Sequence, residues 1–171
     1  MKKVVYIIFF ALSISFLYTQ DNIIVDRQSS EITLNIDENR LWRWTAPEMP
    51  YVFNQNYIRV LPGDTLFVEA EVIDNIVIRL AVVREIINPE KTITLEFRQV
   101  TNTTNPRIHN FMLLHIFNPF DKILEYRLDI HLLLEDRWVT ARTFPVQASL
   151  GSFQSFPNII STLVFSNFVL R

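Results

Sequence analysis

The chain has three histidines, all on two strand-like runs: His109 and His115 in RIHNFMLLHIF and His131 in ILEYRLDIHLLL. A hairpin closed by the loop NPFDK would pair Phe117 with Ile123. That register sets His109 opposite His131, places Asp129 diagonal to the pair, and faces His115 with Glu125. Two imidazoles and a carboxylate suit zinc or copper(II). Cross-strand histidine pairs also arise without any ligand, so the expectation is a protein with no metal and no other cofactor. The absence of cysteine removes the usual blue-copper ligand set.

Catalytic signatures are scarce. G-x-S-x-G, a phosphate loop and G-x-G-x-x-G are all missing, and two glycines, Gly63 and Gly151, cannot build a backbone cradle for a nucleotide. Asp129 and His131 share a strand face, but the sequence brings no serine to them. Glu135–Asp136 reads as a solvated turn at a strand end. The expectation is a non-enzymatic protein.

Aromatic residues offer a different chemistry. In LWRWTAPEMP, Trp42 and Trp44 point the same way on a strand and Arg43 points oppositely. Exposed together, the indoles form a platform for a sugar or a protein. Buried, they are core, which is the usual fate of large aromatics and the preferred reading. Trp138 carries the same two alternatives. The following loop, Ala46 to Phe53, is stiffened by Pro47 and Pro50. It is the part left free to meet a partner, with Glu48, Met49, Tyr51 and Phe53 as the candidate contacts.

The elements that must position these residues are strands. KTITLEFRQV alternates, with Ile93, Leu95 and Phe97 on one face and Thr92, Thr94, Glu96 and Arg98 on the other. ILEYRLDIHLLL puts Leu124, Tyr126, Leu128, Ile130 and Leu132 on one face and Glu125, Arg127, Asp129 and His131 on the other. Turn signals such as LPGDT, IDNI, NPEK and TNTTNP recur between runs. Gly63 is placed for a type II turn. In EAEVIDNIVIRLAV, a two-residue Asp74–Asn75 turn would set Glu71 against Ile78. The register preferred here opposes Ile73 to Val77, Ala70 to Leu80 and Glu71 to Arg79, because it buries one face. It demands a three-residue loop or a bulge.

Composition sets the class. Lys2 and Lys3 precede an apolar run from Val4 to Tyr18, the layout of an export signal, too short for a membrane span of about 20 residues. Residues 1–20 are read as a signal peptide, or as an uncleaved anchor that would supply the one membrane contact. Residues 21–171 are read as one domain in the periplasm or at the cell surface. Without Lys2 and Lys3, 14 basic residues stand against 18 acidic ones, a net charge of about −4 that disfavours nucleic acid as a partner. No disulfide is available, so stability rests on the core, for which 49% hydrophobic residues and 14 Phe supply material.

The stretch LNIDENRLWRWTAPEMPYVFNQNYIRVLPGDTL resembles part of the BsuPI-type proteinase inhibitor domain, through Trp42, Arg43, Trp44, Thr45, Phe53, Gln55, Pro62, Gly63 and Asp64. That family carries Ser and Glu where this chain has Thr45 and Asp64. NPFDKILEYRLDI, RWVTARTFPV and FPNIISTLVFSNFVL together resemble small exported bacterial proteins of immunoglobulin-like fold without known function. The recurrent turns between alternating runs point to an antiparallel β-sandwich, and the second resemblance implies that it is immunoglobulin-like. The expected function is binding another macromolecule of the envelope or exterior, with proteinase inhibition and carbohydrate binding as the alternatives.

Overall fold

The computed structural model describes residues 25–171, so the expected export segment lies outside the described residues. The described chain is all-β, with antiparallel strands throughout and no α-helix. The strands are β1 (Ser30–Asn35), β2 (Leu41–Ala46), β3 (Val52–Phe53), β4 (Tyr57–Val60), β5 (Thr65–Ile73) and β6 (Ile76–Val83). After a 3₁₀ turn at Pro89–Lys91 come β7 (Thr92–Thr101), β8 (His109–Phe117), β9 (Leu124–Leu132), β10 (Arg137–Ala141), β11 (Gly151–Phe156) and β12 (Ile160–Leu170).

The alternation read from sequence is the alternation of burial. Ile93, Leu95 and Phe97 of β7 are buried, as are Leu124, Tyr126, Leu128, Ile130 and Leu132 of β9. Thr92 departs from its expected outward face. It is buried, and its hydroxyl donates to the Asn88 carbonyl at 2.6 Å, which satisfies it there.

The strands run in the order β10-β9-β12-β6-β5-β7-β8-β11, with β4 on β12 and β3 on β4. The join between β12 and β6 is a single residue pair, Val169 with Ile76. One half is therefore β6-β5-β7-β8-β11 and the other β3, β4, β12, β9 and β10. Their apolar faces belong to one continuous buried cluster, which gives a sandwich-like arrangement. The β1–β2 hairpin stands apart as its own two-stranded sheet and adds Ile32 and Leu34 to that cluster.

The expected hairpin between residues 108–117 and 123–132 does not form. β8 is hydrogen-bonded to β7 and β11, and β9 to β10 and β12. Two strands with one apolar face each satisfy burial equally well side by side or in opposite sheets, and the protein takes the second course. The loop between them crosses from one half to the other and is pinned by Asn118, which is fully buried. Its side-chain amide donates to the carbonyls of Lys122, Val146 and Gln147, and its Oδ1 accepts from the Phe120 N–H.

At the β5–β6 hairpin both sequence signals hold, in different places. Ile73 pairs with Ile76 around a two-residue turn, with Asp74 at φ 50° and Asn75 at φ 66°, the left-handed pair of a type I′ turn. The preferred contact of Ile73 with Val77 is thus replaced. Further along, Ala70 pairs with Leu80 and Glu71 with Arg79, as expected, because a bulge at Ile78 absorbs one residue. Replacing Asn75 by valine should cost about 1–2 kcal/mol, since a β-branched residue resists that conformation, while Asn75→Gly should be nearly neutral. Urea denaturation of both variants checks this, and equal losses would show that the turn conformation is not the cause.

Gly63 has φ 94°, and the Asp64 N–H donates to the Leu61 carbonyl at 3.0 Å, closing the expected turn. The Asp64 carboxylate accepts the Leu61 N–H at 2.7 Å and lies 3.3 Å from Arg27 Nε. Both side chains are buried, at 6% and 7% exposure. The contact is close without hydrogen-bond alignment at Nε. Burial pushes the Asp64 carboxyl above its ordinary value, against the lowering effect of the Leu61 hydrogen bond and the Arg27 charge.

Candidate functional site

Trp42 and Trp44 lie on the same face of β2, opposite Leu34 and Ile32 of β1. Both indoles are half-buried and pack against the core cluster, while Arg43 is exposed and pairs with Glu31. The ring centroids are 6.0 Å apart and the planes 37° from one another, a splayed pair rather than a flat platform. Their uncovered edges line a cleft of about 450 Å³ whose far wall is Trp138 on β10. All three tryptophans of the chain therefore converge on one concavity.

The polar lining of the cleft comes from β9, β12 and the β9–β10 turn. Trp138 sits directly opposite His131 across the β9–β10 ladder, and the rings lie 5.1 Å apart at 55°. His131 Nδ1 is 2.7 Å from Ser161 Oγ, and its Nε2 is 3.3 Å from Asp136 Oδ1. Ser161 reaches His131 because it is the extra residue of a bulge between Ile160 and Thr162 in β12. Asp136 takes φ 48° at the turn, a conformation that a short polar side chain tolerates.

Serine, histidine and aspartate in contact invite comparison with a nucleophilic triad. Two features weigh against that chemistry. Asp136 is 95% exposed, so water screens the charge that would hold an imidazolium. Ser161 is 6% exposed with its hydroxyl engaged by His131, on a strand rather than a sharp turn that projects it. What the array does offer is a graded set of donors and acceptors beside aromatic walls, suited to orienting ligand hydroxyls.

The histidines and carboxylate that the expected hairpin register would have gathered are dispersed. His109 belongs to β8, where its ring contacts the Gln99 side chain at 2.9 Å and the Pro157 carbonyl at 3.0 Å. His131 is on the other half of the fold. His115 pairs with Glu96 and Phe153 rather than Glu125 and stacks on the Phe153 ring at 4.3 Å. Asp129 is held by Arg127 at 3.0 Å and by the Thr140 hydroxyl at 2.6 Å. The Arg127 hydrogen bond keeps its carboxyl below the ordinary value. Among the described residues no three such ligands gather.

The stretch from Ala46 to Phe53 is not the free loop expected. Met49 exchanges two backbone hydrogen bonds with Arg27, at 2.9 and 3.1 Å, and its sulfur lies 3.1 Å from Arg59 Nη1. The Tyr51 carbonyl accepts from the Arg59 N–H, and Phe53 is part of β3 against Tyr57. Met49, Tyr51 and Phe53 are half-buried, leaving Glu48 exposed between Pro47 and Pro50. The prolines flank a residue tied by its backbone to Arg27, where extended backbone is what they favour anyway.

Sequence reasoning identified Trp42, Trp44 and His131, and it missed Trp138 and Ser161 as their neighbours. One signal for Ser161 was present: the run Ile159-Ile160 before Ser161-Thr162 interrupts the period of two, as bulges do. No family model, curated protein or solved structure matches this chain.

Proposed function

We propose that this protein is an exported, non-enzymatic binding module of immunoglobulin-like type, and that its ligand is a saccharide held against Trp42, Trp44 and Trp138. The convergence of the three indoles on one cleft beside His131 supports this reading above all. Sugar rings present apolar C–H faces with polarised hydrogens, which match the negative face of an indole, while their hydroxyls need short polar partners. His131, Asp136, Ser161 and Thr162 are such partners, and a volume of about 450 Å³ takes one or two sugar rings.

Trp138 is 53% exposed, so truncating it should leave stability within about 0.5 kcal/mol. Trp138→Ala should weaken binding about tenfold or more, as loss of an aromatic anchor does. Affinity electrophoresis through gels cast with neutral and acidic polysaccharides checks this. Retardation unaltered by Trp138→Ala would dismiss the cleft as the binding face. Hydrolysis of p-nitrophenyl acetate that disappears in Ser161→Ala would overturn the non-enzymatic reading.

A protein partner is the second reading, favoured by the edge strand β11, where Phe153 is 68% exposed and faces His115. An open edge bearing an exposed aromatic accepts a strand from another chain. Loss of a partner on Phe153→Asp, with Trp138→Ala harmless, would select it.

A further inference from the structure

Beyond Trp138 the outer surface of the same half continues into a second cleft, of about 540 Å³, between β3, β4, β9, β10 and β12. Trp138 borders both concavities, so they form neighbouring compartments of one groove. The second differs in charge. It holds two guanidinium groups, of Arg59 and Arg127, and one carboxylate, of Asp129. Arg127 is spent on Asp129 through hydrogen bonds of 3.0 and 3.1 Å. Arg59 has no carboxylate within ion-pair distance among the described residues; its guanidinium lies over the Phe53 ring at 5.1 Å and meets only the Met49 sulfur at 3.1 Å. A π-face and a thioether position a guanidinium while using little of its hydrogen-bonding capacity.

We infer that this second cleft is an anion subsite, in which Arg59 receives the carboxylate of an acidic sugar whose neighbouring ring rests on Trp138. The inference rests on the saccharide reading of the first cleft. A guanidinium matches a carboxylate with two parallel N–H···O bonds, and its planar fork is already oriented by Phe53. Asp129 does not repel the incoming anion strongly, because Arg127 and Thr140 neutralise and hydrogen-bond it. Tyr57 is left to meet the ring hydroxyls.

The test uses an array of immobilised oligosaccharides in matched pairs, each neutral backbone shown with and without one uronate or sialate. The protein without its expected export segment, residues 21–171, should bind acidic members about tenfold or more tightly than their neutral partners at low salt. The gap should narrow as salt rises, because the site is open to water. Arg59→Met should erase the gap. Arg98→Met, which removes an exposed arginine paired with Glu96 on β7, should preserve it. Equal binding of acidic and neutral members would overturn the anion subsite while leaving the tryptophan cleft standing. Binding to no glycan at all would overturn both. The comparison within wild-type protein decides the matter even if Arg59→Met does not fold.

Discussion

Arg27→Met is expected to lower the unfolding free energy by about 3–5 kcal/mol, because it strands the buried Asp64 carboxylate without its counter-charge. The desolvation cost of Asp64 remains while the compensating Arg27 charge disappears. Arg27 also donates to the Ser30 hydroxyl at 2.8 Å and the Gln28 carbonyl at 3.1 Å, so the entry into β1 loosens as well. Adding Asp64→Asn, which keeps an acceptor for the Leu61 N–H, should recover most of the loss. The pH dependence has a definite sign. Burial already holds the Asp64 carboxyl above its ordinary value, and removing Arg27 raises it further. For an acid raised on folding, stability is lost as pH rises from the unfolded value through the folded one. The penalty of Arg27→Met should therefore shrink as pH falls toward the carboxylate range. Urea denaturation across pH reads this out, and a penalty that stays constant or grows on acidification would contradict it.

Phe165→Ala should cost about 3–5 kcal/mol through the cavity it leaves, for the ring is fully buried. Its centroid lies 5.4 Å from that of Tyr126 and 6.1 Å from that of Phe168, so two further aromatic contacts are lost. The backbone of Phe165 pairs with Ile58 of β4 on one side and Leu128 of β9 on the other, so collapse around the void is hindered. Thermal unfolding should shift down by about 10 °C or more. Phe153→Ala, which removes the same ring from an exposed edge, should change stability by no more than about 0.5 kcal/mol. Similar shifts for the two would refute the burial argument.

The faces of β7 and β9 were readable from sequence because alternation needs only one buried side. Their neighbours were not. Leu128 would sit just as well against Met112 in a hairpin as it does beside Phe165 of β12, since both arrangements bury the same side chain. What separates them is Asn118, whose amide ties together carbonyls near and far along the chain, and NPFDK reads locally as an ordinary turn. In the site, the two-residue spacing of Trp42 and Trp44 announced a common direction. The arrival of Trp138 and Ser161 depended on strand neighbours and a bulge, which single-strand periodicity does not encode. The expected proximity of His109 and His131 failed with the hairpin, since the register alone joined them.

The strand that comes last in chain order, β12, occupies the middle of its half, bonded to β4 and β9 and touching β6. Strands β4 and β9 cannot complete their ladders until Ile160–Leu170 exists to lie between them. This half of the fold thus waits for Ile160–Leu170, and its nucleus must close loops of great length, which makes for slow kinetics. During that interval half of the sheet presents unsatisfied edges, a state exposed to aggregation.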